Sequence, residues 1–240
     1  MAPLRSPNPL RRRLLIAGAA ALPAACTSPV PQLAPPATPP PQPQVRVGQR
    51  WHYETIELYR GSRVSDFYAE VTRDSGGGPA PLAVVLSDPQ GVRIAEEQWT
   101  SPWTVVVDPS YDRPQIFEAP MPYLPDRLEP GSARKDFTHY GVADFSARLY
   151  WGQRLRATGW ERIEVPAGTF DALRVERYIN FEHWDTWRAH PWRVDVLWYA
   201  PAVERWVQRD WYGQYYWPSK RPVEAEENRI RWRLLDWAAV

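Results

Sequence analysis

Cysteine is almost absent from this chain of 240 residues: Cys26 is the single one. A domain downstream of it can form no intrachain disulfide, so its core must hold unaided. Lysine is nearly as scarce, with only Lys135 and Lys220, and arginine carries the positive charge instead. Neither sign dominates, with 29 basic against 28 acidic residues. Without a basic footprint there is no electrostatic case for binding nucleic acid. Long apolar runs are missing too. Leu14–Leu22 is about half of the roughly 20 residues that a membrane-spanning helix needs, and Ala and Gly dilute it. Helical periodicity is lacking, and Val223–Asn228 is the one short helix candidate. Also absent are a Ser-centred nucleophile elbow, a phosphate-cradling glycine loop and an HExxH helix. Gly76-Gly77-Gly78 precedes Pro79 and reads as a flexible turn.

The N-terminus does carry a pattern. Arg11, Arg12 and Arg13 precede the apolar run, and Pro23-Ala24-Ala25 leads into Cys26. A charged start, a short apolar stretch and small residues before a processing point describe a secretory signal. A lone cysteine at that junction resembles the lipidated cysteine of bacterial lipoproteins, which implies acylation of Cys26 and attachment to a membrane. The alternative is an ordinary secreted protein cut after Ala21. Arg11-Arg12-Arg13-Leu14-Leu15 is also similar to a twin-arginine export signal, with a plain Sec signal as the other reading. Thr27 and Ser28 lack the aspartate that resembles an inner-membrane retention signal. The expected place is therefore the cell envelope, at the periplasmic face of the outer membrane.

Three regions follow: a signal at 1–25, the candidate lipidated cysteine with a Pro-rich tether at 26–44, and one domain at 45–240. Residues 27–44 are mostly Pro, Ala, Gln, Thr and Ser, which cannot build a core. As polyproline II at about 3.1 Å per residue they would reach about 50 Å. Without Arg5 and the arginine cluster, 25 basic residues face 28 acidic ones.

Within the domain the repeat is two residues nearly everywhere, the signature of strands. Trp51, Tyr53 and Tyr59 share a face. Phe67, Ala69 and Val71 alternate with polar neighbours. Leu82–Leu86 reaches the turn residues Asp88-Pro89-Gln90-Gly91, and Val92 and Ile94 return from it. Five prolines between Tyr111 and Gly131 mark a long connection or an edge. Leu173, Val175, Ile179 and Phe181 fall on one parity, as do Val194, Val196 and Trp198. Ile230, Trp232 and Leu234 alternate with Arg229, Arg231 and Arg233. The fold class expected is all-β: an antiparallel, strongly curved sheet or partly closed barrel.

Val165-Pro166-Ala167-Gly168-Thr169-Phe170 resembles the hairpin of a group of uncharacterised bacterial envelope lipoproteins. Trp198-Tyr199-Ala200-Pro201-Ala202-Val203 and Val47-Gly48-Gln49-Arg50-Trp51-His52-Tyr53 are similar to further segments of that group. The resemblance implies a curved antiparallel sheet and brings no catalytic residue.

Candidate chemistry is sparse. Glu182, His183, Asp185 and His190 could offer metal ligands, yet on a strand only His183 and Asp185 share a face, too few for zinc. No metal and no cofactor is expected. The compositional excess is 14 tryptophans. Many fill the core of a disulfide-free domain. The run from Trp211 to Trp217 is too dense for one core face, so Trp206, Trp211, Tyr215, Tyr216 and Trp217 are expected on a loop, in contact with a ligand or partner. The function expected is non-enzymatic binding of a hydrophobic or glycan ligand, or of an envelope partner. The alternatives are a structural or assembly subunit of an envelope complex and, more remotely, a hydrolase that uses carboxylates.

Overall fold

The computed structural model describes residues 31–73 and 80–239. The signal, Cys26 and the Gly76–Gly78 turn lie outside the described residues. Among the described residues the two-residue repeat builds fourteen strands. In chain order they are β1 (Gln32–Leu33), β2 (Arg50–Glu57), β3 (Ser62–Arg73), β4 (Leu82–Ser87), β5 (Arg93–Ser101), β6 (Thr104–Asp108) and β7 (Gln115–Pro122). Then come β8 (Ala133–Val142), β9 (Phe145–Val165), β10 (Gly168–Phe181), β11 (Ala189–Ala200), β12 (Arg205–Trp217), β13 (Val223–Glu226) and β14 (Ile230–Ala238).

Twelve of them form an antiparallel ring in the order β9-β10-β11-β12-β14-β2-β3-β4-β5-β6-β7-β8. β8 pairs with β9 from Ala133↔Arg156 to Val142↔Phe145 and closes it. The strongly curved antiparallel sheet expected is thus a barrel, closed completely, and its closure removes the exposed edges of an open sheet. β14 lies between β12 and β2, so one of the last strands joins one of the first. β7, in the proline-rich stretch, joins the ring through only Ile116↔Gly141 and Phe117↔Tyr140 on its β8 side, as missing amide donors dictate.

Antiparallel order sends successive turns to alternate ends. One end carries the Val165–Gly168 hairpin, the Pro201–Val203 3-10 turn and the turn at Trp103. Gly168 holds φ at +131°, a conformation that disfavours a side chain. The other end carries the turns after β2, β4, β6, β10 and β12.

The Pro-rich segment does not stand clear of the domain. Gln32 and Leu33 pair with Glu161 and Trp160 of β9. Gln32 Nε2 donates to Glu161 Oε1 at 2.7 Å, and Gln42 Nε2 donates to the Asp126 carbonyl at 2.8 Å. Gln44 N donates to Glu204 Oε1 at 3.1 Å. β9 outruns β8 by several residues, and its uncovered amides and the buried carboxylate of Glu161 give this segment something to bond. From Pro31 onward it is a strap across the first end.

A twelve-strand barrel encloses more space than aliphatic side chains fill, and this is where the tryptophans go. Trp51, Trp99, Trp103, Trp151 and Trp206 are fully buried. Trp103 meets Trp99 and Trp206 edge-on, each with centroids 5.2 Å apart, just inside the strap end. Its indole donates to the Glu204 carbonyl at 2.8 Å, which holds the residue at φ +61°. Below the rings the filling is charged. Asp195 accepts from Arg177 at 2.5 Å and from Arg209 at 3.0 Å through both oxygens. Arg177 lies 3.5 Å over the Tyr123 ring, and Tyr123 donates to Asp108. Burial works to raise Asp108, but Arg209 and hydrogen bonds from Ser110 and Tyr123 overrule it and hold the carboxyl below its usual range. Burial likewise opposes the Arg209 charge, and Asp195 restores it and keeps it firmly protonated. These groups survive in the interior because each charge is paired and hydrogen-bonded.

Two local expectations change. Val223–Glu226 is strand β13, paired with β12, rather than a helix. Residues 211–217 belong to strand β12 rather than a loop.

Candidate functional site

At the end opposite the strap, the charged filling opens into a cavity of about 370 Å³. Trp211 and Ile230 line it from neighbouring strands, and Tyr111 and Asp112 come from the connection between β6 and β7. Arg193 of β11 is the central group. It donates to Glu227 through Nε at 2.5 Å and Nη2 at 3.0 Å, a bidentate pair. Its guanidinium lies 3.9 Å over the Tyr111 ring and 4.6 Å over Phe181. Gly213 makes the pair possible. A Cβ there would sit 2.8 Å from both Arg193 Cγ and Glu227 Oε2 and 2.6 Å from the Trp192 carbonyl.

Two polar atoms of this lining are buried with no partner among the described residues: Arg193 Nη1 and the Tyr111 hydroxyl. Burial pushes the Tyr111 phenol up, so it stays protonated and remains a donor. Unpaired buried donors cost on the order of 1–3 kcal/mol each and mark a place where a ligand or water completes the bonding.

The rim is a second charge cluster. Arg188 stands 3.6 Å from Asp112 and 3.7 Å from Glu227, with its guanidinium 5.2 Å from the Tyr215 ring centroid. His183 Nε2 is 3.3 Å from Asp112 Oδ2, and its Nδ1 accepts the Asp185 amide at 2.9 Å. Burial raises the Asp112 carboxyl, but His183, Arg193 and Arg188 outweigh it and hold it down at about 2. Both nitrogens of His183 are thus occupied. Among the described residues no group of three or more His, Cys, Asp or Glu could hold a metal ion.

The five aromatic residues expected at the site separate. Trp206 is fully buried among Trp99, Trp103 and Tyr123 and reaches no surface. Trp211, 8% exposed, lines the cavity, its ring 6.2 Å from Tyr111. Tyr215 also lines it. Trp217 is 44% exposed with its ring 5.8 Å from Tyr215, so positions 211, 215 and 217 form a row on one face of β12 from the cavity outward. Tyr216 has the other parity and stands opposite Ala189 and Glu224. The charged members, Asp112, Arg188, Arg193 and Glu227, come from distant segments, and no spacing in the sequence joins them. Arg193 gave no signal either, because in sequence it alternates with the apolar Val194, Val196 and Trp198 and reads as a solvent-facing charge.

No protein-family model matches the sequence, and no curated protein matches it. Solved structures do share the fold. A proposed lipoprotein from Parabacteroides distasonis ATCC 8503 is similar with a TM-score of 0.50 and 16% identity, over 82% of this chain and 97% of that one. A proposed exported protein with a YmcC-like fold from Bacteroides fragilis NCTC 9343 aligns with a TM-score of 0.49 and 11% identity, over 82% and 98%. At these identities the likeness is one of fold.

Proposed function

We propose that this chain is an exported protein of the bacterial envelope, held to a membrane by acylation of Cys26, and that its barrel binds a glycan at the open end without transforming it. The observation that carries the reading is the row Trp211–Tyr215–Trp217 beside Arg193 and Tyr111, whose buried donors have no partner among the described residues. A sugar presents an apolar C–H face to rings and hydroxyls to charged groups, and this lining offers both. A purely apolar ligand would leave Arg193 and Arg188 without solvent or new bonds, which is costly. The signal-like N-terminus and the barrel shared with a proposed lipoprotein support the envelope address.

Catalysis by carboxylates gains no support from the site. A general acid needs a raised pKa, whereas Asp112 is held at about 2. An assembly role has one observation in its favour. Trp187, Trp217 and Val223 near the same end are 60%, 44% and 59% exposed, as residues of a protein interface would be.

Titration calorimetry with peptidoglycan disaccharides and neutral oligosaccharides tests the binding reading. Wild-type protein should give saturable heat that Tyr215→Ala with Trp217→Ala abolishes at an unchanged melting temperature. Absence of heat with every sugar, or full binding by the double variant, rejects it. The anchor is tested apart from it: Cys26→Ala should move the protein from the membrane pellet to the soluble envelope fraction.

A further inference from the structure

The outer wall where β8, β9 and β10 lie side by side carries a cluster of positive charge. Lys135 stands directly opposite Arg154, and Arg156 faces the same way two residues further along β9. All three are exposed, and among the described residues none of them makes an ion pair. Arg154 leans over the Tyr178 ring at 5.1 Å. Together they border a groove of about 750 Å³ whose one acidic residue, Glu176, is engaged by Arg174 at 2.7 Å. Phe137, next on the same face of β8, is 75% exposed.

Like charges directly opposite each other on a sheet repel. Glu176, opposite Arg156 on β10, is the one carboxylate lining the groove and is already paired with Arg174, so an excess of positive charge is left for another molecule to meet. An exposed ring beside long cationic stems is the pairing of a membrane interface, where the ring enters the headgroup layer and the cations meet phosphates. The position agrees. Gln32 and Leu33, through which the chain runs toward its N-terminal segment, pair with β9 at Glu161 and Trp160. Trp160 is four residues, about 13 Å, beyond Arg156 on the same strand.

We propose that Lys135, Arg154, Arg156 and Phe137 form a docking surface for an anionic lipid bilayer, a second attachment beside the N-terminal one. It rests on the anchored reading for its location only. An acyl anchor holds more firmly when a basic patch joins it. With that side wall on the headgroups, the cavity at the open end is left for other ligands.

The test uses the chain from residue 31, which contains every strand of the barrel and no cysteine, so the outcome does not depend on Cys26. It should sediment with vesicles of equal parts phosphatidylcholine and phosphatidylglycerol, and not with phosphatidylcholine alone. Binding should weaken as salt rises. Lys135→Gln with Arg154→Gln and Arg156→Gln should cut partitioning on the order of 100-fold and leave the melting temperature unchanged, since the three are exposed and unpaired. A polarity-sensitive dye on Phe137→Cys should shift on binding, and one on Ser219→Cys, at the open end, should not. Several results overturn the proposal: no binding to anionic vesicles, equal binding by the triple variant, or a response at position 219 in place of 137. Displacement by inorganic phosphate at the concentration of lipid phosphate overturns it as well, because the groove would then hold a free anion.

Discussion

Inside the strap end, Trp51, Trp99, Trp103 and Trp206 interlock edge to face and the Pro-rich strap lies across the outside. At the open end the fillers are ion pairs, Arg193 with Glu227 and Arg188 with Asp112, with rings between them. The two chemistries leave different amounts of space. Rings pack to contact and exclude water. Guanidinium and carboxylate groups need fixed distances and directions, and at the open end they leave a cavity beside them. One end is thus dominated by rings packed around the buried Arg205–Glu97 pair and the other by ion pairs beside a cavity, and buried donors without a protein partner among the described residues occur at both, on Arg205 and Trp206 at the first and on Arg193 and Tyr111 at the second.

The same substitution at the two ends gives the sharpest break. Trp206→Ala empties a packed site and should cost about 3–5 kcal/mol, a fall in melting temperature of roughly 10 °C. Trp217→Ala should stay within about 0.5 kcal/mol. Equal losses in a thermal melt would end the distinction. Between the ends, Asp195→Ala strands Arg177 and Arg209 without their shared carboxylate and should cost about 3–5 kcal/mol. Denaturant unfolding reads this, and a loss near zero would mean that the buried charges are solvated from the open end. Gly168→Val places a β-branched residue at φ +131° in the strap-end hairpin and should cost about 1–3 kcal/mol. An unaltered midpoint would show that this hairpin relaxes freely.

The smallest effect is one of pH. Asp112 has a folded pKa of about 2 against 3.8, so its contribution is complete above about 4 and disappears as pH falls toward 2. The stability difference between wild type and Asp112→Asn should shrink across that window. A difference that stays constant would place the stabilisation elsewhere.

Alternation made the all-β class legible, and the hairpin at Pro166–Gly168 and strand β14 stand where turn residues and period placed them. What alternation concealed was which face is inside. On β11 the interior parity is Arg193, Asp195, Leu197 and Tyr199, whereas the apolar row Val194, Val196 and Trp198 is on the other face, where Val196 and Trp198 are buried as well. Where the barrel stores charge in its interior, as on this strand, alternation points to the wrong face, whereas on β2, β3 and β10 the apolar parity is the buried one. β12 was hidden for the same reason, because Arg205 and Arg209 are as buried as Trp206, and an irregularity between Trp198 and Tyr199 on its partner strand disturbs the register. The cavity could not be read at all, since it depends on closure bringing Asp112, Arg193 and Glu227 together.

The place of β14 in the ring has a consequence for how the molecule comes into being. Its residues 230–238 bridge β12 to β2, more than 170 positions earlier in the sequence. Until they arrive, β2 and β12 present two open edges, and every hairpin made before that moment belongs to an unfinished sheet. Pairings this distant slow folding, and open edges invite association between unfinished chains. Refolding from denaturant should therefore be slow and sensitive to protein concentration, and a chain ending before Ile230 should aggregate rather than yield a smaller barrel.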